Sequence, residues 1–221
     1  MTSHDVKPAL RTRKENMNHI FNTVGPKPNE VTGYYDKWAN EYDKQHPTYV
    51  YSGPSKLAQA VGNGLTEQQK STMKVLDVAA GTGLVAIYLK QQGFQHIDAL
   101  EPSEKMLEEA KAKNLYEKYI NDYITEKPLN IEENTYDIIT ACGALGLGHI
   151  PDEALYEMIR LVKAGGRVAL ATSTEYTERI KSLEKLMDHL EQMGKWKNIV
   201  TKIVPDYVDN IDGKLYVFQI N

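Results

Sequence analysis

Lys74-Val-Leu-Asp-Val-Ala-Ala-Gly-Thr-Gly83, followed by His96-Ile-Asp-Ala-Leu-Glu-Pro102, decides the fold; Glu101 lies eighteen residues beyond Gly83. An apolar strand ends at a carboxylate, a glycine turn opens a helix, and a second strand ends at another carboxylate. Glycines let the backbone come close to a ligand, and the helix N-terminus behind them presents unpaired N–H groups. Gly81-Thr-Gly-Leu-Val-Ala86 also satisfies the relaxed dinucleotide fingerprint, which by itself is weak evidence. Asp77 separates the readings. A pyrophosphate against this turn would meet a like charge, whereas a ligand with an ammonium and a sulfonium gains from a carboxylate.

Working outward, strand and helix signals alternate from residue 74 onward, which implies an α/β fold with a mostly parallel sheet. Strands are expected at 74–79, 96–101, 118–121, 136–142, 166–172, 198–204 and 214–220, with helices at 83–92, 103–113, 152–163 and 176–193. Gly93, Gly165-Gly166 and Gly194 stand where helix C-caps belong. The last two strands are joined by 206–213 without a helix signal, and Asp212-Gly213 is a turn dipeptide, so they are expected to form an antiparallel hairpin. Upstream, Tyr35, Trp38, Ala39 and Tyr42 recur at i, i+3, i+4 and i+7 and make one aromatic helix face. A further helix is expected at 55–61, and 66–72 reads as a polar linker. Residues 1–30 read as an extension, loosely helical at Leu10, Met17, Ile20, Phe21 and Val24 and stopped by Pro26 and Pro28. The expected organisation is a helical cap over 1–70 and a ligand-binding core over 71–221, in one compact domain.

A chain of 221 residues can bury a three-layer core in one domain. Its 41% hydrophobic and 25% charged content is ordinary for a soluble protein. A net charge of −4 and a pI near 5.9 set up no global field for nucleic acid or anionic membrane. The single cysteine, Cys142, excludes an intrachain disulfide and any cysteine cluster for zinc, which makes a reducing, cytoplasmic setting the expectation. The start Met1-Thr-Ser-His-Asp-Val-Lys-Pro lacks the apolar core of a signal peptide, and no run approaches the ~20 apolar residues that span a bilayer. Lys7, Arg11, Arg13 and Lys14 read as a solvated helix face. A monomer acting on a small molecule is the expectation.

Several separated segments, from about residue 33 to the C-terminus, resemble the class I S-adenosylmethionine-dependent methyltransferases, which have a Rossmann-like fold. Asp77, Ala79, Gly81, Thr82 and Gly83 match the family's first motif, and the resemblance implies that this motif holds the amino-acid part of the cofactor. Glu101 matches the acid whose two oxygens accept the ribose hydroxyls. Pro102, Ser103 and Met106 match the pattern that follows, with Met106 implied against the adenine ring. Asp122 matches the acid near the adenine amino group, and Tyr123 follows it. Tyr136-Asp-Ile-Ile-Thr-Ala-Cys-Gly-Ala144 matches the fourth strand and the loop after it, which implies Cys142 and Gly143 beside the transferable methyl. The fold implied is a seven-stranded sheet, mostly parallel, with a C-terminal antiparallel hairpin and an N-terminal helical cap. A narrower resemblance is to the methyltransferase-like protein 27 group, named for the Williams–Beuren region. It rests on Tyr34-Tyr-Asp-Lys-Trp-Ala-Asn-Glu-Tyr-Asp43, on 75–86, on Gly143-Ala-Leu145, on Leu161-Val-Lys-Ala-Gly-Gly166 and on 183–196. Ala80 departs from the group, where cysteine is expected, and so does the short link between the last two strands.

Each of these residues also keeps a plainer reading, Asp77 as a cap of the following turn and Glu101 and Asp122 as acids at strand ends. Met106, beside Leu107 and Ala110, suits core packing as well as adenine contact, and the face of Tyr35, Trp38 and Tyr42 suits packing across the sheet edge as well as closure over the cofactor. Cys142 reads as a small buried apolar residue, not a nucleophile. A sulfonium is already an activated leaving group, so orientation and desolvation suffice for methyl transfer. His149 is the candidate base for a hydroxyl acceptor, against a reading as a plain loop residue. The Asn-Pro-Pro-Tyr sequence used on planar amides and base amines is absent after the fourth strand, where Ala141-Cys-Gly-Ala stands. No carboxylate set for a metal is singled out. The reading is methyl transfer from S-adenosylmethionine to a small molecule. The alternatives are a non-catalytic binder of S-adenosylmethionine or S-adenosylhomocysteine, and a nicotinamide-dependent oxidoreductase.

Overall fold

The computed structural model describes residues 27–47, 49–146, 148–175 and 177–221. The expectations for residues 1–26, including the loose helical pattern and the four basic positions, lie outside them. In chain order the elements are α1 (Pro28–Gln45), α2 (Gly53–Gly62), α3 (Glu67–Thr72), β1 (Lys74–Val78), α4 (Leu84–Gln91), β2 (His96–Leu100), α5 (Glu104–Ala112), β3 (Lys118–Ile120), β4 (Tyr136–Cys142), α6 (Ala154–Leu161), β5 (Val162–Ser173), α7 (Thr177–Gln192), β6 (Trp196–Val208) and β7 (Ile211–Ile220).

The strands make one sheet in the order β3-β2-β1-β4-β5-β7-β6, parallel from β3 to β5 and antiparallel at β7 and β6. Helices cover both faces, which is why β1 and β4 read as nearly continuous apolar runs. On one face Leu76, Val78, Ile139, Val168 and Leu170 pack with Leu155 and Met158 of α6 and Leu183 and Leu190 of α7. On the other, Val75, Ile97, Ala99, Ile138 and Val217 meet Leu57, Ala58 and Val61 of α2 and Ala86 and Leu89 of α4. Thus α2 is part of a core layer, while α1 crosses to α5 above the strand ends, its Asp36 accepting from the Ser103 hydroxyl at 2.6 Å. Strand order reverses between β1 and β4, where doubly wound sheets open a crevice beyond their carboxyl ends.

Three local expectations are corrected. Pro28, read as a stop, starts α1, where its missing N–H costs nothing and its fixed φ suits the first helical position. The supposed linker 66–72 holds α3: Thr66 Oγ1 accepts from Gln69 N at 3.2 Å and Gln69 Oε1 accepts from Thr66 N at 2.9 Å, a capping box. The hairpin turn is Asp209-Asn210, at φ +49° and +61°, with Val208 paired to Ile211. Both strands therefore extend through 206–213, and a two-residue turn with both φ positive matches their right-handed twist.

Gly213 has a different task from the expected turn. It pairs with Val204 and Ser173, and a Cβ there would collide with the Tyr207 ring and lie 2.7 Å from Tyr207 Cβ. Tyr207 is buried, donates to Ala171 O at 3.1 Å, and also crowds Gly53 at the start of α2. Gly213→Ala is expected to cost about 3 kcal/mol of stability through overpacking, read as a lower urea midpoint at constant slope.

Candidate functional site

Above the ends of β1, β2 and β4, under α1, lies a cavity of about 750 Å³ of empty space, its open mouth included. Its wall contains Tyr35, Tyr42, Ala79, Gly81, Glu101, Pro102, Met106, Asp122, Tyr123, Cys142, Gly143 and His149. The structure therefore brings twelve of the sixteen sequence candidates to one cavity. Trp38, Asp77, Thr82 and Gly83 stand behind the wall.

The turn after β1 explains that division. Ala79, Gly81 and Gly83 all have positive φ, +52°, +55° and +92°, and the turn closes through Gly83 N donating to Ala80 O at 2.9 Å. A Cβ on Gly81 would meet nothing within 4 Å, so its backbone faces the open cavity, whereas a Cβ on Gly83 would lie 2.8 Å from Leu115 Cδ1. One glycine borders open space and the other admits the fold. Asp77, 1% exposed, accepts from the Tyr116 hydroxyl at 2.7 Å and the Thr140 hydroxyl at 2.8 Å. Burial pushes its carboxyl up to about 7 against these bonds, and the Glu101 charge adds to the rise.

Glu101 follows β2 directly and reaches the wall. Its Oε2 accepts from Gly81 N at 2.9 Å and its Oε1 from Ser103 N at 2.8 Å, so the second carboxylate also pins the glycine turn. Burial raises its pKa to about 7; the two N–H bonds oppose the rise and the Asp36 charge reinforces it. Met106, 1% exposed, lies one turn into α5, whose N-cap is Ser103. Asp122 Oδ1 accepts from Tyr123 N at 2.8 Å, and the Tyr123 hydroxyl bonds Thr32 at 2.8 Å.

Two aspartates that sequence reasoning passed over hold α1 in place. Asp36 accepts from the Ser103 hydroxyl at 2.6 Å, and Asp43 from the Thr82 hydroxyl at 2.5 Å. Lys113 pairs with Asp43 and donates to Thr82 O. Their spacing of seven puts them on one helix face, a signal present in the sequence and overshadowed by the aromatic residues beside it. Trp38 backs that aromatic face: it stacks on Tyr35 at 5.9 Å, meets Tyr42 edge-on at 5.0 Å and donates to Gln45 Oε1. The face divides: Tyr35 and Tyr42 reach the cavity, while Trp38 is buried against its helical neighbours.

At the rim of β4, Cys142 Sγ lies 3.4 Å from the hydroxyls of Tyr51 and Tyr207, and burial pushes its thiol up to about 12. Such a thiol is not a nucleophile at neutral pH. His149 Nε2 is 2.9 Å from the Tyr35 hydroxyl. The segment carrying it is tied down from α7: Arg179 donates to Ile150 O at 2.9 Å and pairs with Asp152, which also accepts from Ser182 at 3.1 Å. Arg179 and Asp152 are only 16% and 12% exposed, so Arg179→Met is expected to cost about 2 kcal/mol by leaving a mostly buried carboxylate unpaired. Chemical denaturation checks the value. Among the described residues no group of three or more metal-ligating side chains is present, and no helix is long and apolar enough to cross a membrane.

A family model described as "Methyltransferase domain" matches residues 75–166. Methyltransferase-like protein 27 of Homo sapiens is 36% identical over 169 residues, covering 76% of this chain and 68% of its own. The ubiquinone/menaquinone biosynthesis C-methyltransferase UbiE of Roseobacter denitrificans is 30% identical over 159 residues, covering 67% of this chain and 61% of its own. Among solved structures, a SAM-dependent methyltransferase of Aquifex aeolicus superposes with a TM-score of 0.60 at 21% identity, covering 84% of this chain and 98% of its own. The cyclase SpnF superposes with a TM-score of 0.62 at 13% identity, covering 89% and 97%.

Proposed function

The chain belongs to the class I S-adenosylmethionine-dependent methyltransferases, and we propose that it transfers the methyl group to a small-molecule acceptor held under α1. The observation that carries this reading is Glu101: a buried carboxylate, oriented by two backbone N–H groups, at the wall beside the open face of Gly81. These residues fit the cofactor. Glu101 would accept the ribose hydroxyls, Met106 and Asp122 would face the adenine, and the backbone of Ala79 and Gly81 would leave room for the amino-acid part.

Asp77, Thr82, Gly83 and Trp38 would act from behind the wall, by shaping the turn and seating α1. When bound, S-adenosylmethionine supplies a methyl group on a sulfonium, whose C–S electron pair stays with sulfur as an acceptor lone pair forms the new bond. The contribution of the chain is to hold the two in line and exclude water, which Tyr35 and Tyr42 would do from α1. His149 is the candidate for taking a proton. Relatives named for ubiquinone/menaquinone biosynthesis support a small organic acceptor, and the lone cysteine supports a cytoplasmic setting.

Calorimetric titration with S-adenosylmethionine, S-adenosylhomocysteine and NADH is expected to show binding of the first two and none of the third. Labelled-methyl turnover in a metabolite extract tests catalysis. Tight cofactor binding with no label transferred to any metabolite would replace this reading by that of a binding protein.

A further inference from the structure

The same cavity wall also carries residues that the cofactor assignment leaves over. Val31, Ile124, Ala144 and Ile150 line it with apolar surface, and Tyr35 and His149 add a polar pair, the Tyr35 hydroxyl 2.9 Å from His149 Nε2. Among the described wall residues the charged side chains other than histidine are Glu101 and Asp122, both assigned above to the cofactor. From this juxtaposition we propose that the acceptor is an uncharged phenol, its ring among the apolar residues and its hydroxyl on the Tyr35–His149 pair. The inference rests on the methyltransferase reading and names the substrate class of the same site.

Charge argues first. A carboxylate or phosphate on the acceptor would lose its hydration and meet no described cation, a penalty that binding does not recover. An ammonium would find its counter-charges at the cofactor end, and in its charged form has no lone pair to attack with. An apolar ring, in contrast, gains from contact with aliphatic and tyrosine surface.

Chemistry argues second. A phenolic oxygen has one proton and two lone pairs, so Tyr35 can donate to Nε2 while accepting from the acceptor hydroxyl. In the transfer step the acceptor O–H bond breaks and its proton passes to the Tyr35 oxygen as the Tyr35 proton passes to His149 Nε2. The electron pair left on the acceptor oxygen forms its bond to the methyl carbon as the C–S pair leaves with sulfur. An imidazole and a phenol differ by only about 3.5 pK units in model compounds, within reach of assisted transfer. An aliphatic alcohol is far less acidic, so the pair suits a phenol.

The test uses the full chain saturated with S-adenosylhomocysteine and reads the binding of four probes by saturation-transfer NMR and calorimetry. The probes are para-butylphenol, butylbenzene, butylcyclohexanol and para-hydroxybenzoate. The phenol is expected to bind at least about tenfold tighter than each of the others, one hydrogen bond's worth. In His149→Ala and Tyr35→Phe, each saturated in the same way, its advantage over butylbenzene is expected to fall to about twofold or less. Equal binding of para-hydroxybenzoate, an undiminished phenol preference in both variants, or binding of no probe by the loaded protein would overturn the proposal. Failure to bind S-adenosylhomocysteine at all would instead overturn the reading beneath it.

Discussion

Glu101→Ala is expected to lower affinity for S-adenosylhomocysteine by about two orders of magnitude or more. Two hydrogen bonds from ribose hydroxyls to a charged acceptor are worth roughly 1.5–3 kcal/mol each, and removing the carboxylate also frees Gly81 N and Ser103 N, which its two oxygens hold. The loss therefore combines a direct contact with a loosened turn. Glu101→Gln separates them, because an amide oxygen still accepts one bond while the charge and the second acceptor are gone. Calorimetry is expected to rank wild type above Gln and Gln above Ala, with all three folded by circular dichroism. Near-native affinity in the alanine variant would mean that the ribose is held elsewhere.

The second large effect is on pH, and its two signs are opposite. Folding lifts Asp77 from 3.8 and Glu101 from 4.5 to about 7 each, so between about pH 4 and 7 the folded chain binds more protons than the unfolded one. The contribution of these two groups to the stability of the ligand-free protein is accordingly greatest below about pH 4 and is lost as pH rises towards 7, on the order of 3–4 kcal/mol per carboxylate. Cofactor binding runs the other way. The ribose hydroxyls favour the ionised form of Glu101 at the cavity wall, so binding below about pH 7 releases a proton and weakens as pH falls, up to about tenfold per unit. Between about pH 8 and 5 the affinity for S-adenosylhomocysteine is expected to drop about a hundredfold, while the melting temperature of the ligand-free protein rises from these two groups. An affinity independent of pH over that interval would show that Glu101 does not sense the ligand.

Much of this site was legible in the chain. The glycine turn and the acid eighteen residues beyond it follow from local geometry, because a strand ending, a turn and a helix start leave marks in adjacent residues. Asp77 shows where that legibility stops. Its register partner on β4 is Thr140, and since strand side chains alternate between faces, the two share a face of the sheet behind the cavity. Its charge was readable; its orientation depended on a strand sixty residues later. Asp36 and Asp43 are similar: their periodicity was visible, but their partners Ser103 and Thr82 become neighbours only when α1 lies across the strand ends. Pro28 and Asp209-Asn210 were misjudged because proline suits a helix start as well as a stop, and because a tight turn needs positive φ at both central residues, which asparagine and aspartate tolerate.

The sequence by itself determined the alternation of strands and helices, the antiparallel end of the sheet and the identity of the cofactor, since each is written in residues close along the chain. Only the tertiary structure decided which carboxylate lines the cavity and which stands behind it. It also decided that Tyr35 of α1 and His149 after β4 stand 2.9 Å apart. The physical reason is that side-chain direction and long-range adjacency are set by sheet register and helix packing, and Tyr35 and His149 come from segments more than a hundred residues apart.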